Sequence, residues 1–213
     1  MDKNIARSEF LQYYHENIDR PGSEDLYDFL VNKSNFFEDP ASTKYHLAEP
    51  GGLVRHSVNV YRRLAQLNDI ESRCNPKFKR FSLETIAIVG LLHDLCKVNT
   101  YKSQDKYVKN YDHDIVYAAP KDQVKSDAGG KFIWDKKTEY VKDDHLLMGH
   151  GEKSVYLISQ FMKLTDMEAQ AIRYHMGPWN DWEKNDASKV FETNWLAFLL
   201  HTADEFATFV DEV

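Results

Sequence analysis

The stretch Ile86-Ala87-Ile88-Val89-Gly90-Leu91-Leu92 is apolar all round, and the pair His93-Asp94 follows it without a break. Ser82 stands where an N-cap would start a helix, and a helix with almost no polar face belongs at the centre of a fold. Other helices must therefore wrap around it. Its buried end must also find partners for an imidazole and a carboxylate, because a buried polar or charged group without one is costly. Asp204 poses the same problem, since it follows the apolar run 195–200 and shares a helical face with Ala197 and Leu200. Two carboxylates in apolar surroundings ask for cations.

The remaining apolar positions also recur at helical spacing. Ile5, Phe10, Leu11, Tyr14 and Ile18 mark one helix, which Pro21-Gly22 stops before Ser23 caps a second. Leu53, Ser57, Val60, Tyr61, Leu64 and Leu67 predict a helix over about 53–67 with His56 in its first turn. Helices resume at His150 through Val155, Ile158, Phe161 and Met162; Thr165 and Glu168 have capping-box spacing, and Met176-Gly177-Pro178 ends the helix that carries His175. Between Lys97 and Lys142 the pattern breaks. Ten lysines meet seven acids there, and the turn Asp127-Ala128-Gly129-Gly130 precedes β-leaning pieces at Phe132-Ile133-Trp134 and Glu139-Tyr140-Val141. The expectation is one domain over 1–213: an all-α bundle, with N-terminal helices in 1–39 and a small irregular or β-hairpin insertion at about 100–145.

Charge and composition exclude several classes. A formal net charge of −7 argues against a general nucleic-acid coat or a broad duplex-binding surface, although the lysine surplus of the insertion permits a short phosphate-bearing ligand. No apolar run approaches the roughly 18–20 residues that span a bilayer, and the opening MDKNIARSEF has no hydrophobic core behind its charges, so a cytoplasmic protein without a membrane partner is expected. Two cysteines cannot form a disulfide framework, and Cys96, within an apolar run, is expected to behave as a small hydrophobe. No Gly-rich phosphate loop, Ser/His/Asp order or Cys-x-x-Cys pair competes with the histidines and aspartates.

Imidazole nitrogens and carboxylate oxygens suit divalent transition metals, and His56, His150 and His175 each fall at the beginning or end of a predicted helix. Taken in order, Gly51-Gly52-Leu53-Val54-Arg55-His56-Ser57, Gly90-Leu91-Leu92-His93-Asp94-Leu95-Cys96-Lys97, Gly149-His150 and Leu200-His201-Thr202-Ala203-Asp204 resemble the HD superfamily of metal-dependent phosphohydrolases. The resemblance covers about 40–210. It implies that His56, His93, Asp94 and Asp204 hold one metal and that a bridging Asp94 with His150 and His175 holds a second, as in the two-metal phosphodiesterase-like subgroups. The alternative for His150 and His175 is substrate contact beside a single metal. Two divalent ions, with Mn, Fe, Ni, Co, Zn and Mg not distinguished, would make hydroxide available from bridging water and neutralise phosphoryl oxygens. Asp94 would then orient the reacting groups, and Lys97, at i+4 from His93 on one helix, would meet a phosphate oxygen as the lysine of the HD-x-x-K pattern does.

Arg55, Arg173 and His46 are further candidates for substrate contact. His201 is expected to pack or hydrogen-bond behind the ligands, and His15, His113 and His145 to lie on the surface; His46, His145 and His201 are the imidazoles available as a general acid. The tyrosines and Trp134 of the insertion either form a base-stacking lid or simply pack, and Trp179 and Trp182 either line the site mouth or cover the core. The function implied is a phosphodiesterase acting on a nucleotide, a cyclic or linear dinucleotide or a short oligonucleotide. Alternatives are an HD nucleotidase or nucleoside triphosphate phosphohydrolase, a di-iron oxygenase of this superfamily, and a nucleotide-binding module without turnover. Oligomeric state is left open.

Overall fold

The structure, a computed structural model, describes residues 2–177 and 184–213. Pro178, Trp179 and Trp182 lie outside the described residues. In chain order the elements are α1 (Lys3–Asn17), α2 (Ser23–Asn32), α3 (Gly52–Cys74), α4 (Leu83–Leu92), a 3₁₀ turn (Leu95–Lys97), β1 (Tyr101–Asn110), α5 (His113–Ala118), β2 (Lys125–Asp127), β3 (Gly130–Lys142), α6 (His150–Ser159), α7 (Asp166–Arg173), α8 (Lys184–Thr193), α9 (Trp195–Phe206) and a π turn (Ala207–Asp211). The fold is helical with a small three-stranded insertion. Among the described residues no helix is long and apolar enough to cross a membrane.

α4 occupies the centre that its sequence demands. Ser82 Oγ accepts the Thr85 N–H at 3.1 Å, and Ile86 through Leu92 are all buried. α3 packs on one side, α1 and α7 on others, and α9 closes against α3 and α7. Each fully buried Leu or Ile in this core contributes about 1.5–3 kcal/mol relative to an exposed one. α3 meets α4 closely at Gly90, where an added Cβ would stand 2.8 Å from Tyr61 Cα. Gly90→Val is therefore expected to force the two helices apart and lower stability by about 1–3 kcal/mol, read as a fall in the urea midpoint. An unchanged midpoint would show that the contact yields without cost.

Several local expectations are corrected. The cap of α2 is Gly22, in left-handed conformation, while Ser23 is the first helical residue and its carbonyl accepts the buried Tyr14 hydroxyl at 2.7 Å. α3 runs two turns past Leu67 to Cys74, because buried Asn68 exchanges hydrogen bonds of 3.1 and 3.0 Å with the Phe81 backbone and Arg73 pairs with Asp69. His175 lies beyond its helix: the Tyr174 N–H closes α7 onto Gln170, and His175 occupies the following turn. Both β-leaning pieces of the insertion belong to the single strand β3. Its long partner is the charged β1, antiparallel from Tyr101↔Lys142 to Asn110↔Ile133, with β2 on the other edge. Cross-strand ion pairs, Lys106–Glu139 at 2.7 Å and Lys136–Asp105 at 2.9 Å, let a lysine-rich segment form a ribbon exposed on both faces. Trp134 is half exposed, with Phe132 edge-on at 5.6 Å between ring centres.

Candidate metal centre

Six side chains from five parts of the chain converge beside the C-terminal end of α4. His56 comes from the second turn of α3, His93 and Asp94 from the turn that ends α4, His150 from the first residue of α6, His175 from the turn after α7, and Asp204 from α9. Gly151 sets the α6 position: an added Cβ would stand 2.3 Å from the Arg173 carbonyl oxygen, so only glycine lets α6 begin against the end of α7. His150 and His175 rings consequently lie 5.1 Å apart. His201, one turn before Asp204, fixes the same turn from the other side, its Nδ1–H donating to the His175 carbonyl at 2.7 Å.

Asp94 sits in the middle with its two oxygens facing different ways. Oδ1 lies 2.7 Å from His150 Nε2 and 3.6 Å from His175 Nε2. Oδ2 lies 3.6 Å from His56 Nε2 and 3.7 Å from His93 Nε2, and takes the Lys97 ammonium at 2.5 Å. Asp204 Oδ1 completes the group on the Oδ2 side, 3.1 Å from His56 Nε2, and His93 Nε2 lies 3.3 Å from that His56 nitrogen. Donor atoms of His56, His93 and Asp204, of His93, Asp94 and His175, and of Asp94, Cys96 and His150 each fall within 4.8 Å of one another.

A family model, HD domain, matches residues 53–207. The chain belongs to the HD domain family. No curated protein and no solved structure matches it. The HD domain places the chain in a superfamily of metal-dependent phosphohydrolases, mostly hydrolases that bind divalent metals.

The residues present fit such an ion. His93 Nδ1 donates to the Gly90 carbonyl at 3.0 Å and His175 Nδ1 to that of Ile172 at 2.7 Å, so both rings direct Nε2 into the cluster. His175 Nε2 is buried and makes no hydrogen bond there. Three carboxylates, Asp94, Asp204 and Glu212, crowd around these imidazoles with Lys97 as their one lysine, an arrangement that favours a cation. Protonation divides accordingly. Burial drives His93 down to about 3, and it lowers His150 as well. Burial also opposes charge on His56, yet its hydrogen bonds to Asp204 and Glu212 carry it up to about 10. Burial works against both charges of the Asp94–Lys97 pair too, but each partner holds the other ionised, with Asp94 well below and Lys97 above the ordinary range.

The substrate-facing candidates divide. His46 reaches the cluster, its ring centre 5.0 Å from that of His56. Lys97 reaches it by a different route from the one expected: α4 ends at Leu92, and the 3₁₀ turn, rather than a continued helix, swings its ammonium onto Asp94. Arg55 turns to Glu49, and Arg173 pairs with Glu152 at 2.7 Å and lies over the Tyr174 ring. His15, His113 and His145 are on the surface. Cys96 is buried but is not merely an apolar filler, since its Sγ lies 3.3 Å from His150 Nδ1; burial and Asp94 push its thiol up to about 12. Sequence reasoning read this residue as a small hydrophobe although it stands two positions from Asp94, and passed over Glu212 altogether.

Proposed function

We propose that this HD domain is a phosphodiesterase acting on a nucleotide, a cyclic or linear dinucleotide or a short oligonucleotide, with two divalent cations held on either side of Asp94. The observation that carries the reading is the division of the Asp94 oxygens: one faces His150 and His175, the other His56 and His93. His56, His93, Asp94 and Asp204 would hold one cation, and Asp94, His150 and His175 the other. When bound, such a pair supplies Lewis-acid polarisation of phosphoryl oxygens and activation of water for an in-line displacement.

The chain's own groups supply the remainder. His56, His93 and His175 are each at most 1% exposed, whereas the His150 side chain is 35% exposed, so the cluster opens toward α6. Lys97, held cationic by Asp94, and His46, beside His56, border the cluster and can meet a phosphate oxygen. Backbone carbonyls fix the His93 and His175 rings, so the site is oriented before substrate arrives. A net charge of −7 favours a small phosphate ester over a duplex.

Metal stoichiometry tests the reading. After saturation with Mn²⁺ and desalting, elemental analysis is expected to find two ions per wild-type chain and about one in the His150→Ala, His175→Ala double variant, with hydrolysis of linear and cyclic dinucleotides lost in the latter. One ion in both proteins would move His150 and His175 to substrate contact and favour a nucleotidase releasing phosphate from a mononucleotide. No retained ion in the wild type would overturn the metal reading itself.

A further inference from the structure

Beyond the six residues that share the proposed cations, one carboxylate holds the far side of a ligand. The Glu212 side chain is only 1% exposed, and its two oxygens lie 3.1 and 3.2 Å from His56 Nδ1. His56 therefore points Nε2 toward His93, Asp94 and Asp204 while Nδ1 faces a carboxylate. The other three imidazoles differ: His93 and His175 use backbone carbonyls, and His150 Nδ1 faces the Cys96 sulfur.

The contact is built from both sides. Along α3, His56, Asn59 and Arg63 stand at helical spacing on one face. Asn59 Nδ2 donates to Glu212 Oε1 at 3.0 Å, and Arg63 grips Asp211 with a pair of hydrogen bonds, the Nε one at 2.8 Å. An uninterrupted α9 would set Glu212 roughly 80° round the axis from Asp204. The π turn at Ala207–Asp211 takes up one extra residue and brings Glu212 back toward the Asp204 side. Helix geometry is thus altered at the place where the altered register delivers a carboxylate to His56.

We infer that Glu212 is a positioning residue for the metal centre: it orients His56 through Nδ1, holds the proton there, and makes Nε2 a stronger donor to a cation shared with His93, Asp94 and Asp204. The inference rests on the two-metal reading for its ion and on its own geometry for the role of Glu212. Partners of this kind behind a metal-bound histidine change metal affinity by about 10–100-fold.

The test is calorimetric titration of metal-stripped full-length protein with Mn²⁺, comparing wild type, Glu212→Ala and Glu212→Gln. The alanine variant is expected to lose about 10–100-fold in affinity at one site and nothing at the other. Glutamine, which keeps an acceptor for His56 but drops the charge, should restore part of the loss. Should the alanine variant not fold, the glutamine variant carries the comparison, with a loss of at least threefold expected. Affinities within twofold of wild type in the variants that fold, or equal losses at both sites, overturn the positioning role while leaving the two-metal reading intact. A wild-type chain that binds no Mn²⁺ overturns both.

Discussion

Asp94→Asn is expected to reduce phosphodiester hydrolysis by about a thousandfold or more and to lower metal content from two ions to at most one, with helical circular dichroism retained. Asp94 faces both groups of imidazoles, through a different oxygen in each direction. Asparagine preserves shape but replaces one oxygen by an NH₂, which has no lone pair for a cation. Whichever way the amide lies, one group of imidazoles loses its carboxylate. Several kcal/mol of transition-state stabilisation depend on correctly held cations, and each ~1.4 kcal/mol is a factor of ten in rate. The fold should survive, because the amide keeps the shape of the carboxylate, its oxygen accepts from Lys97 when it lies on the Oδ2 side, and one of three crowded carboxylates has been neutralised. Retention of two ions and of activity within tenfold of wild type would sink the bridging role.

Arg20→Ala is expected to destabilise the protein by about 3–5 kcal/mol. Arg20 leaves the α1–α2 connection to meet Glu168 of α7 bidentately, at 2.6 and 3.0 Å, and Glu84 of α4 at 2.9 Å. Glu168 has no exposed surface and also accepts from the Thr165 N–H at 2.8 Å and the Thr85 hydroxyl at 3.0 Å. Removing the guanidinium strands a buried carboxylate between the two helices that precede His93 and His175. The pH dependence has a definite sign. Burial would raise the Glu168 carboxyl, but Arg20 outweighs it and holds the pKa below the ordinary value of 4.5. The wild-type contribution is thus complete above pH ~4.5 and is lost as pH falls through the lowered value. In the variant burial dominates, so protonation of Glu168 on acidification relieves the strain. Urea unfolding at pH 7 and pH 4 should show a gap between the two proteins that narrows at the lower pH. A gap under 1 kcal/mol at pH 7 would mean that water or Glu84 replaces the missing partner.

Much of the centre was legible without coordinates because its members violate the pattern around them. His93, Asp94 and Asp204 interrupt apolar helical faces, and only groups with partners survive there. Thr165 and Glu168 likewise signalled a helix start, and the cap forms, with Thr165 Oγ1 accepting the Glu168 N–H at 3.3 Å. What helical periodicity could not carry was any feature set by a change in backbone geometry. The 3₁₀ turn redirects Lys97, the end of α7 leaves His175 in a turn, and the π turn rotates Glu212 to where α-helical counting does not place it.

The sequence by itself determined a helical fold around α4, an inserted segment of different composition, and the residues that burial would force into partnership, because each follows from local spacing and the cost of isolating charge in an apolar core. Only the tertiary structure decided which oxygen of Asp94 faces which imidazoles, that Glu212 stands behind His56 and Cys96 beside His150, and that the charged β1 pairs with β3. Apart from that of the adjacent His93 with Asp94, those contacts join residues 23 to 156 positions apart, and their geometry is fixed by how helices and strands pack rather than by any pattern within one of them.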